Sequence, residues 1–439
     1  MTAGFIRHER QDPLTGKVLR TYRHTCGLIV KFIPRPGFAR KFAAVTVPYG
    51  SVHVKFKDEQ QILSVPAGTA HFLEHCVFSR DEGGGLLGKL SALGASANAY
   101  TSHTHTLYYF SAVRHFDEAL DSYLDAILNP YLETDRVEAE RPVILSELDQ
   151  YHDDPETRCY NSLIENLYEN HPVRLDIGGT AESVQAITSE DLKQVWRNFY
   201  KPCRLSMTLA GDLDENLILH SLQDRLNSWT GSQKNRAMPL LPDEPAFPAQ
   251  KEITLHMDVS TPSFLVGIKD PLILPGQEMN GRDLVARQRA ARLLLDTLIS
   301  PVSPLFDQLY SQGLINDSFG FHYSCEENFA FLACGGESTK PEKAAEAIRN
   351  GLISYFNAGI DSNLFEIQKR AAAGDFVRSL DSVEHSGMVQ AQCNLHDIDL
   401  FDYPEIYDNI DCTTAGEAMR FLADPSCYST AILLPAEVT

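Results

Sequence analysis

The chain has no run of eighteen or more apolar residues, so by hydrophobic length no helix is expected to cross a bilayer. No C-x-x-C pair occurs, and the nine cysteines, at 26, 76, 159, 203, 325, 334, 393, 412 and 427, are scattered and odd in number. That usage argues against a secreted disulfide framework and points to reduced thiols in a cytoplasm. No apolar core of signal-peptide length is found in Met1-Thr2-Ala3-Gly4-Phe5-Ile6-Arg7-His8. Positive charge is scarce: 38 Lys and Arg stand against 59 Asp and Glu, a formal net charge of −21. So acidic a chain excludes nucleic acid and anionic membrane as main partners and is compatible with cationic peptides. No G-K-[ST] follows Gly83-Gly84-Gly85, which therefore reads as a flexible loop and not a phosphate cradle. No G-x-S-x-G offers a serine nucleophile.

What is present is ordinary for a globular protein: 43% hydrophobic and 22% charged residues over 439 positions, enough for two or three domains with sizeable cores. One stretch organises the rest, Gly68-Thr69-Ala70-His71-Phe72-Leu73-Glu74-His75-Cys76. Read as a helix with Thr69 as its N-cap, it sets His71 and His75 one turn apart on one face. Two imidazoles so held can grip one metal ion. Glu74, beside His75, can then take a proton from a bound water. H-x-x-E-H is the order of the inverzincins. The competing reading is a partly buried helix whose histidines are merely satisfied. Cys76 points about 100° away from His75 on the helix and reads as packing.

A catalytic zinc site usually has three protein ligands and an open position. The best source of the third is the helical stretch Glu138 to Leu148. Glu140 and Glu147 are two turns apart and share a face, with apolar Val143, Ile144 and Leu148 on or beside it. Carboxylates on such a face need a reason, because burying them unpaired is costly. Metal ligation by one and a hydrogen bond from a ligand histidine to the other would supply it. The alternative is a solvated helix edge, which the His71 helix makes the weaker reading.

In chain order, strands are expected at Thr25–Pro34, Phe42–Tyr49, Thr104–Ser111 and Leu205–Ala210. Helices are expected at 86–93, 117–128, 133–151, 158–169 and from Thr188-Ser189-Glu190-Asp191 to Tyr200. Residues 55–67 read as a mixed loop. This is one α+β unit, 1–215. A Pro-rich linker, 216–250, carries Pro239, Pro242, Pro245 and Pro248. A second unit, 251–439, follows, with strands near 252–258, 263–269, 316–325, 329–336 and 429–434, and helices at 283–299, 341–357 and 362–379. Its element order echoes the first. The expected fold is therefore α+β, two structurally related domains, each a mainly antiparallel sheet covered by helices. His103 and His105 read as lying near a cleft or on a solvated face, His152 as loop structure, and Arg287–Arg292 as a solvated helix face. His385 and His396 carry no assigned role.

His71-x-x-Glu74-His75, followed by Glu140-x6-Glu147, resembles the pitrilysin/insulinase family of zinc metallopeptidases. So do Asn98-Ala99-Tyr100-Thr101, the stretch from Leu148 to Pro155, and His171-Pro172 ahead of Ile177-Gly178-Gly179-Thr180. In particular the chain is similar to half-length bacterial members, often encoded as adjacent pairs. The resemblance is dense over 20–215; over 250–439 it rests on element order and Ser303-Pro304-Leu305-Phe306. It implies one Zn²⁺ per chain held by His71, His75 and Glu147, with Glu74 as general base and Glu140 orienting a ligand histidine. It also implies that Asn98, Ala99, Tyr100 and Thr101 align a peptide substrate as an added strand, and that unfolded peptides are enclosed in a chamber between two halves. Active relatives also carry an Arg and a Tyr seven residues apart in the C-terminal half. Here those positions hold Leu309 and Asn316, and no Arg from 250 to 439 is followed by Tyr seven residues later. The expectation is a zinc endopeptidase subunit whose homologous partner supplies the Arg/Tyr pair, or else a homodimer. The alternative is a non-catalytic scaffold subunit, which has no use for Glu74.

Overall fold

A computed structural model describes residues 4–58, 61–78, 85–227 and 237–436. Gly83 and Gly84, expected in a flexible loop, lie outside the described residues, and Gly85 opens a helix. The chain forms two compact units, each drawn from three separate segments. The first comprises Met1–Leu148, Asp176–Leu240 and Val377–Phe401; the second comprises Asp149–Leu175, Leu241–Phe376 and Asp402–Thr439.

Strands of the first unit are β1 (Phe5–Gln11), β2 (Val18–His24), β3 (Ile29–Pro34), β4 (Lys41–Val47), β5 (Lys55–Asp58), β6 (Gln61–Ser64), β7 (Ser96–Thr101), β8 (Thr106–Ala112), β9 (Ser206–Gly211) and β10 (Met238–Pro239). Seven of them make one sheet in the order β1-β2-β3-β9-β4-β8-β7, and β10-β5-β6 make a small second sheet. In the large sheet only β3 and β9 run parallel. Its central strands read as near-continuous apolar runs, Phe42-Ala43-Ala44-Val45 and Leu107-Tyr108-Tyr109-Phe110, because both faces are covered. Helices Thr69–Phe78, Phe116–Leu128 and Ser189–Phe199 bury their apolar faces in the core around Val30, Val45, Phe110 and Leu209. The helix Val383–Cys393 packs on β4 and β9. At the far edge lies β7, half-exposed along its length.

In the second unit β11 (Glu252–Met257), β12 (Ser263–Lys269), β13 (Gly320–Glu326), β14 (Phe329–Glu337) and β15 (Tyr428–Pro435) form a sheet in the order β11-β15-β12-β14-β13. Its one parallel pair is β11 with β15. This repeats β3-β9-β4-β8-β7 strand for strand, parallel pair included. The fold is the expected one: two related α+β domains with mainly antiparallel sheets. Helix Pro155–Leu167 covers β12 and β15, and Pro341–Ala358 also lies on β12.

Several local expectations differ from what forms. The span 216–250, expected as linker, contains a helix over Glu215–Leu226 whose Ile218, Leu219, Leu222 and Leu226 are buried, and then β10. Glu244, further along that span, is buried: it accepts hydrogen bonds from the N–H groups of Glu169, Asn170 and His171 and pairs with the fully buried Lys269. The 55–67 loop holds β5 and β6. Arg287 does not lie on a solvated face. It is buried, and its guanidinium binds Asp270 and the Tyr323 hydroxyl. Of the two histidines expected near a cleft or on a solvated face, His105 is buried and His103 half-buried, and burial pushes each down to about 4.

Candidate metal centre

The helix Thr69–Phe78 buries Ala70, Phe72, Leu73, Cys76 and Val77. Those positions fix the rotation of the helix. His71, Glu74 and His75 are left together on the half-buried face, and Cys76 points into the core as expected. The helix starts one residue earlier than a Thr69 cap implies. Gly68 precedes it at φ +86°, and the Thr69 hydroxyl donates to the Pro66 carbonyl at 2.6 Å. A Cβ on Gly68 would lie 2.3 Å from the Gly178 carbonyl oxygen, so glycine is required both for the turn and for the approach. Gly178 is tight in turn: a Cβ there would sit 2.5 Å from Leu148 and 3.7 Å from His71 Nδ1.

Glu147 arrives on the long helix Thr134–Asp153. Val137, Arg141 and Ile144 are its buried positions, spaced by four and three residues. Arg141 anchors it: the guanidinium donates to the carbonyls of Val184, Gln185 (3.2 Å) and Ile187 (2.9 Å), and lies 5.7 Å from the Phe72 ring centroid. A buried arginine spending its donors on three backbone carbonyls ties this helix to the His71 helix and to residues 184–187. The sequence reading did not single out Arg141. Its place at i+4 from Val137 and i−3 from Ile144, on an apolar face, was the available signal.

The result brings His71, His75 and Glu147 together, with one potential ligand atom of each within 4.8 Å of the others. His75 Nε2 is 3.2 Å from Glu147 Oε2, and His71 Nε2 is 3.8 Å from Glu147 Oε1. The imidazoles are 4.6 Å apart between centroids and nearly perpendicular, at 75°. Three ligand atoms around one tetrahedral zinc at its usual bond lengths are about 3.3 Å apart. The donor set and its spacing therefore fit a zinc ion without rearrangement of the backbone. Burial is the main cause that lowers His71 to about 4, so its ring is neutral and able to ligate; the neighbouring His75 acts in the same direction and Glu147 against it. His71 Nδ1 is buried and makes no hydrogen bond within the described residues.

Glu74 lies beside this group. Its carboxyl is shifted upward, chiefly by burial, while a hydrogen bond from Thr101 and the nearby His75 pull it down. Thr101 Oγ1 donates to Glu74 Oε2 at 2.6 Å. Glu140 is within 3.8 Å of Arg136 on its own helix, and its charge reaches Cys76, the neighbour of His75. Asn98, Ala99, Tyr100 and Thr101 all fall on β7, the last strand of the large sheet, paired only with β8 in that sheet. Asn98 Oδ1 accepts from the Ala99 N–H at 2.9 Å, and the Tyr100 hydroxyl meets His105 Nε2 at 3.3 Å. In the second unit Leu309 is buried in the helix Pro304–Ser311, and Asn316 caps a turn by accepting from the Ser318 N–H. Both positions are structural, and neither offers a cation or a phenol.

The family described as Insulinase (Peptidase family M16) matches residues 44–181, and the description Peptidase M16 inactive domain matches 186–372. Uncharacterized zinc protease YmfH of Bacillus subtilis is 32% identical over 392 residues, 88% of this chain and 89% of that protein. The crystal structure of a protein described as M16-like peptidase from Alicyclobacillus acidocaldarius matches with a TM-score of 0.90 at 30% identity, covering 97% of this chain and all of that one. Pitrilysin shares the fold, with a TM-score of 0.71 at 19% identity, and this chain spans 46% of its length. The chain is a half-length member of the pitrilysin/insulinase family, peptidase family M16.

Proposed function

We propose that this chain is a zinc-dependent endopeptidase acting on unfolded peptides, and that it is the zinc-bearing subunit of a two-chain enzyme. The observation that carries the reading is the juxtaposition of His71, His75 and Glu147 with a buried carboxyl, Glu74, held by Thr101. His71, His75 and Glu147 would hold the ion, and Glu140 would orient a ligand histidine. Zinc supplies Lewis acidity there and can bring the pKa of a coordinated water down to about 7. Glu74 accepts the proton of the attacking water on a carboxylate oxygen and delivers it to the leaving amine nitrogen. Its raised pKa suits both halves of that task. The outer edge of β7, which ends its sheet among the described residues, receives the peptide as an added strand, with Asn98, Ala99, Tyr100 and Thr101 alongside it. A partner chain carrying the Arg/Tyr pair would complete substrate binding where this chain has Leu309 and Asn316; a homodimer is the other arrangement. Nine free cysteines support a cytoplasmic setting.

A second reading, a non-catalytic subunit, is favoured by Leu309 and Asn316 and by the inactive-domain match over 186–372. One experiment separates the two. The purified chain is assayed for bound zinc and for chelator-sensitive cleavage of a quenched peptide, alone and with its partner, beside Glu74→Gln. The endopeptidase reading expects zinc in both proteins, weak cleavage by the chain alone, and a loss of roughly 10²–10⁴-fold in the variant. Turnover that survives Glu74→Gln would sink the mechanism. Absence of turnover under every condition would favour the scaffold.

A further inference from the structure

We infer that Thr101 is a positioning residue for Glu74, and that it makes the peptide-receiving strand and the base one mechanical unit. The inference rests on the endopeptidase reading. Thr101 is the last residue of β7 and lies opposite Thr106 in the antiparallel register. Its hydroxyl has a single proton, and that proton goes to Glu74 Oε2 at 2.6 Å. On the other side Thr101 Oγ1 is 3.4 Å from Thr106 Oγ1. Thr106 is fully buried, and its own hydroxyl donates to the Tyr49 carbonyl at 3.0 Å. Thr101 and Thr106 thus each spend their one hydroxyl proton elsewhere, on Glu74 and on the Tyr49 carbonyl, and their two oxygens only touch between β7 and β8.

Glu74 reaches the metal centre on a flexible side chain with three rotatable bonds. The hydrogen bond from Thr101 selects among its rotamers. It engages one carboxylate oxygen, Oε2. A substrate strand paired with β7 restrains the backbone that carries Thr101, so occupancy of the strand site steadies the base. Among the described residues, the hydrogen bond that β7 gives Glu74 comes from Thr101. The coupling is local to the strand's last residue.

The test compares wild type with Thr101→Val, Thr101→Ser and the Glu74→Gln/Thr101→Val double variant, each as the full chain with its partner. Valine keeps the β-branched shape and strand preference and removes only the hydroxyl. Thr101→Val is expected to lower kcat by about 10- to 100-fold while KM and zinc content hold, since misplacement of a reacting group costs on that scale. Thr101→Ser restores most of the rate, and Thr101→Val adds nothing in the Glu74→Gln background. Crystal structures supply a readout that needs no turnover: in Thr101→Val the Glu74 carboxylate leaves its single position. An unchanged kcat, a loss that falls on KM, or a Glu74 side chain that stays in place in Thr101→Val would overturn the assignment. Should wild type hydrolyse no peptide at all, the endopeptidase reading fails, and the Glu74 rotamer alone decides the role of Thr101.

Discussion

Two glutamates on different helices reach one site, and their surroundings divide the work between them. Glu147 is half-buried with both histidine Nε2 atoms within 4 Å, the geometry of a ligand. Glu74 is held by a threonine and pushed upward by burial, the environment of a proton carrier. Glu140, two turns from Glu147, faces the neighbourhood of Cys76 and has a role one step removed. These assignments predict an order of metal affinities. Glu147→Gln removes a charged ligand and should cost the most zinc affinity. Glu140→Gln should cost about 10- to 100-fold, as expected of a residue that orients a ligand histidine. Competition with a chromophoric chelator measures both. Equal affinities for the two variants would show that the ligand and its supporting residue have been exchanged in this account. That His71 and His75 share a helix face was legible from H-x-x-E-H, and Glu147 from Glu140-x6-Glu147, because helical spacing alone puts such residues on shared faces. The contact between Thr101 and Glu74 was not. It joins a strand end to a helix 27 residues away in sequence, and no local periodicity encodes it.

At the scale of elements, the site depends on how the His71 helix begins. Gly68 turns the chain at positive φ and sits against Gly178, and no side chain fits at either position. Gly68→Ala therefore carries the left-handed penalty of about 1–2 kcal/mol and a clash with a backbone carbonyl that has to shift. The expected outcome is a fall in stability of at least that size and weakened zinc binding, because the shifted loop borders His71. Urea unfolding with zinc titration reads both, and a variant as stable as wild type would remove Gly68 from the account. Long elements with strong patterns were legible: Thr188 caps its helix in a capping box with Asp191, and helix 362–379 ends where the sequence pattern places it. The strands β1 and β2 were not expected. Phe5-Ile6-Arg7-His8-Glu9-Arg10-Gln11 is an exposed edge strand, dense in charge, without an apolar face to announce itself. The 216–250 stretch misled for the opposite reason. Prolines mark turns there, yet Glu244 is locked by three N–H groups and Lys269, and only the tertiary structure pairs those groups.

For the molecule as a whole, the repeated strand order carries different side chains in the two units. In the first, β7 meets a helix carrying His71, Glu74 and His75. In the second, the corresponding strand β13 carries Tyr323, whose hydroxyl binds Asp270 beside Arg287 of helix Gly281–Leu298. Among the described residues, the His71, His75 and Glu147 group lies in the first unit. That unit also stores an acid sensitivity. His53, His71, His103 and His105 are each held down to about 4, burial being the largest cause in every case. In the unfolded metal-free chain they titrate near 6.5. Above 6.5 both states hold them neutral, and they contribute no pH dependence. As the pH falls from 6.5 toward 4, the unfolded state takes up protons that the folded state refuses. Stability then drops by up to about 1.4 kcal/mol per pH unit for each histidine. Glu74, raised by burial, works the other way. The four histidines outnumber it, so unfolding of the metal-free chain near pH 5.5 takes up protons on balance. Calorimetric unfolding of the metal-free chain in two buffers of different ionisation enthalpy counts those protons directly. Net uptake near zero would mean that the four rings are protonated in the folded state, and the acid sensitivity assigned to them would fall.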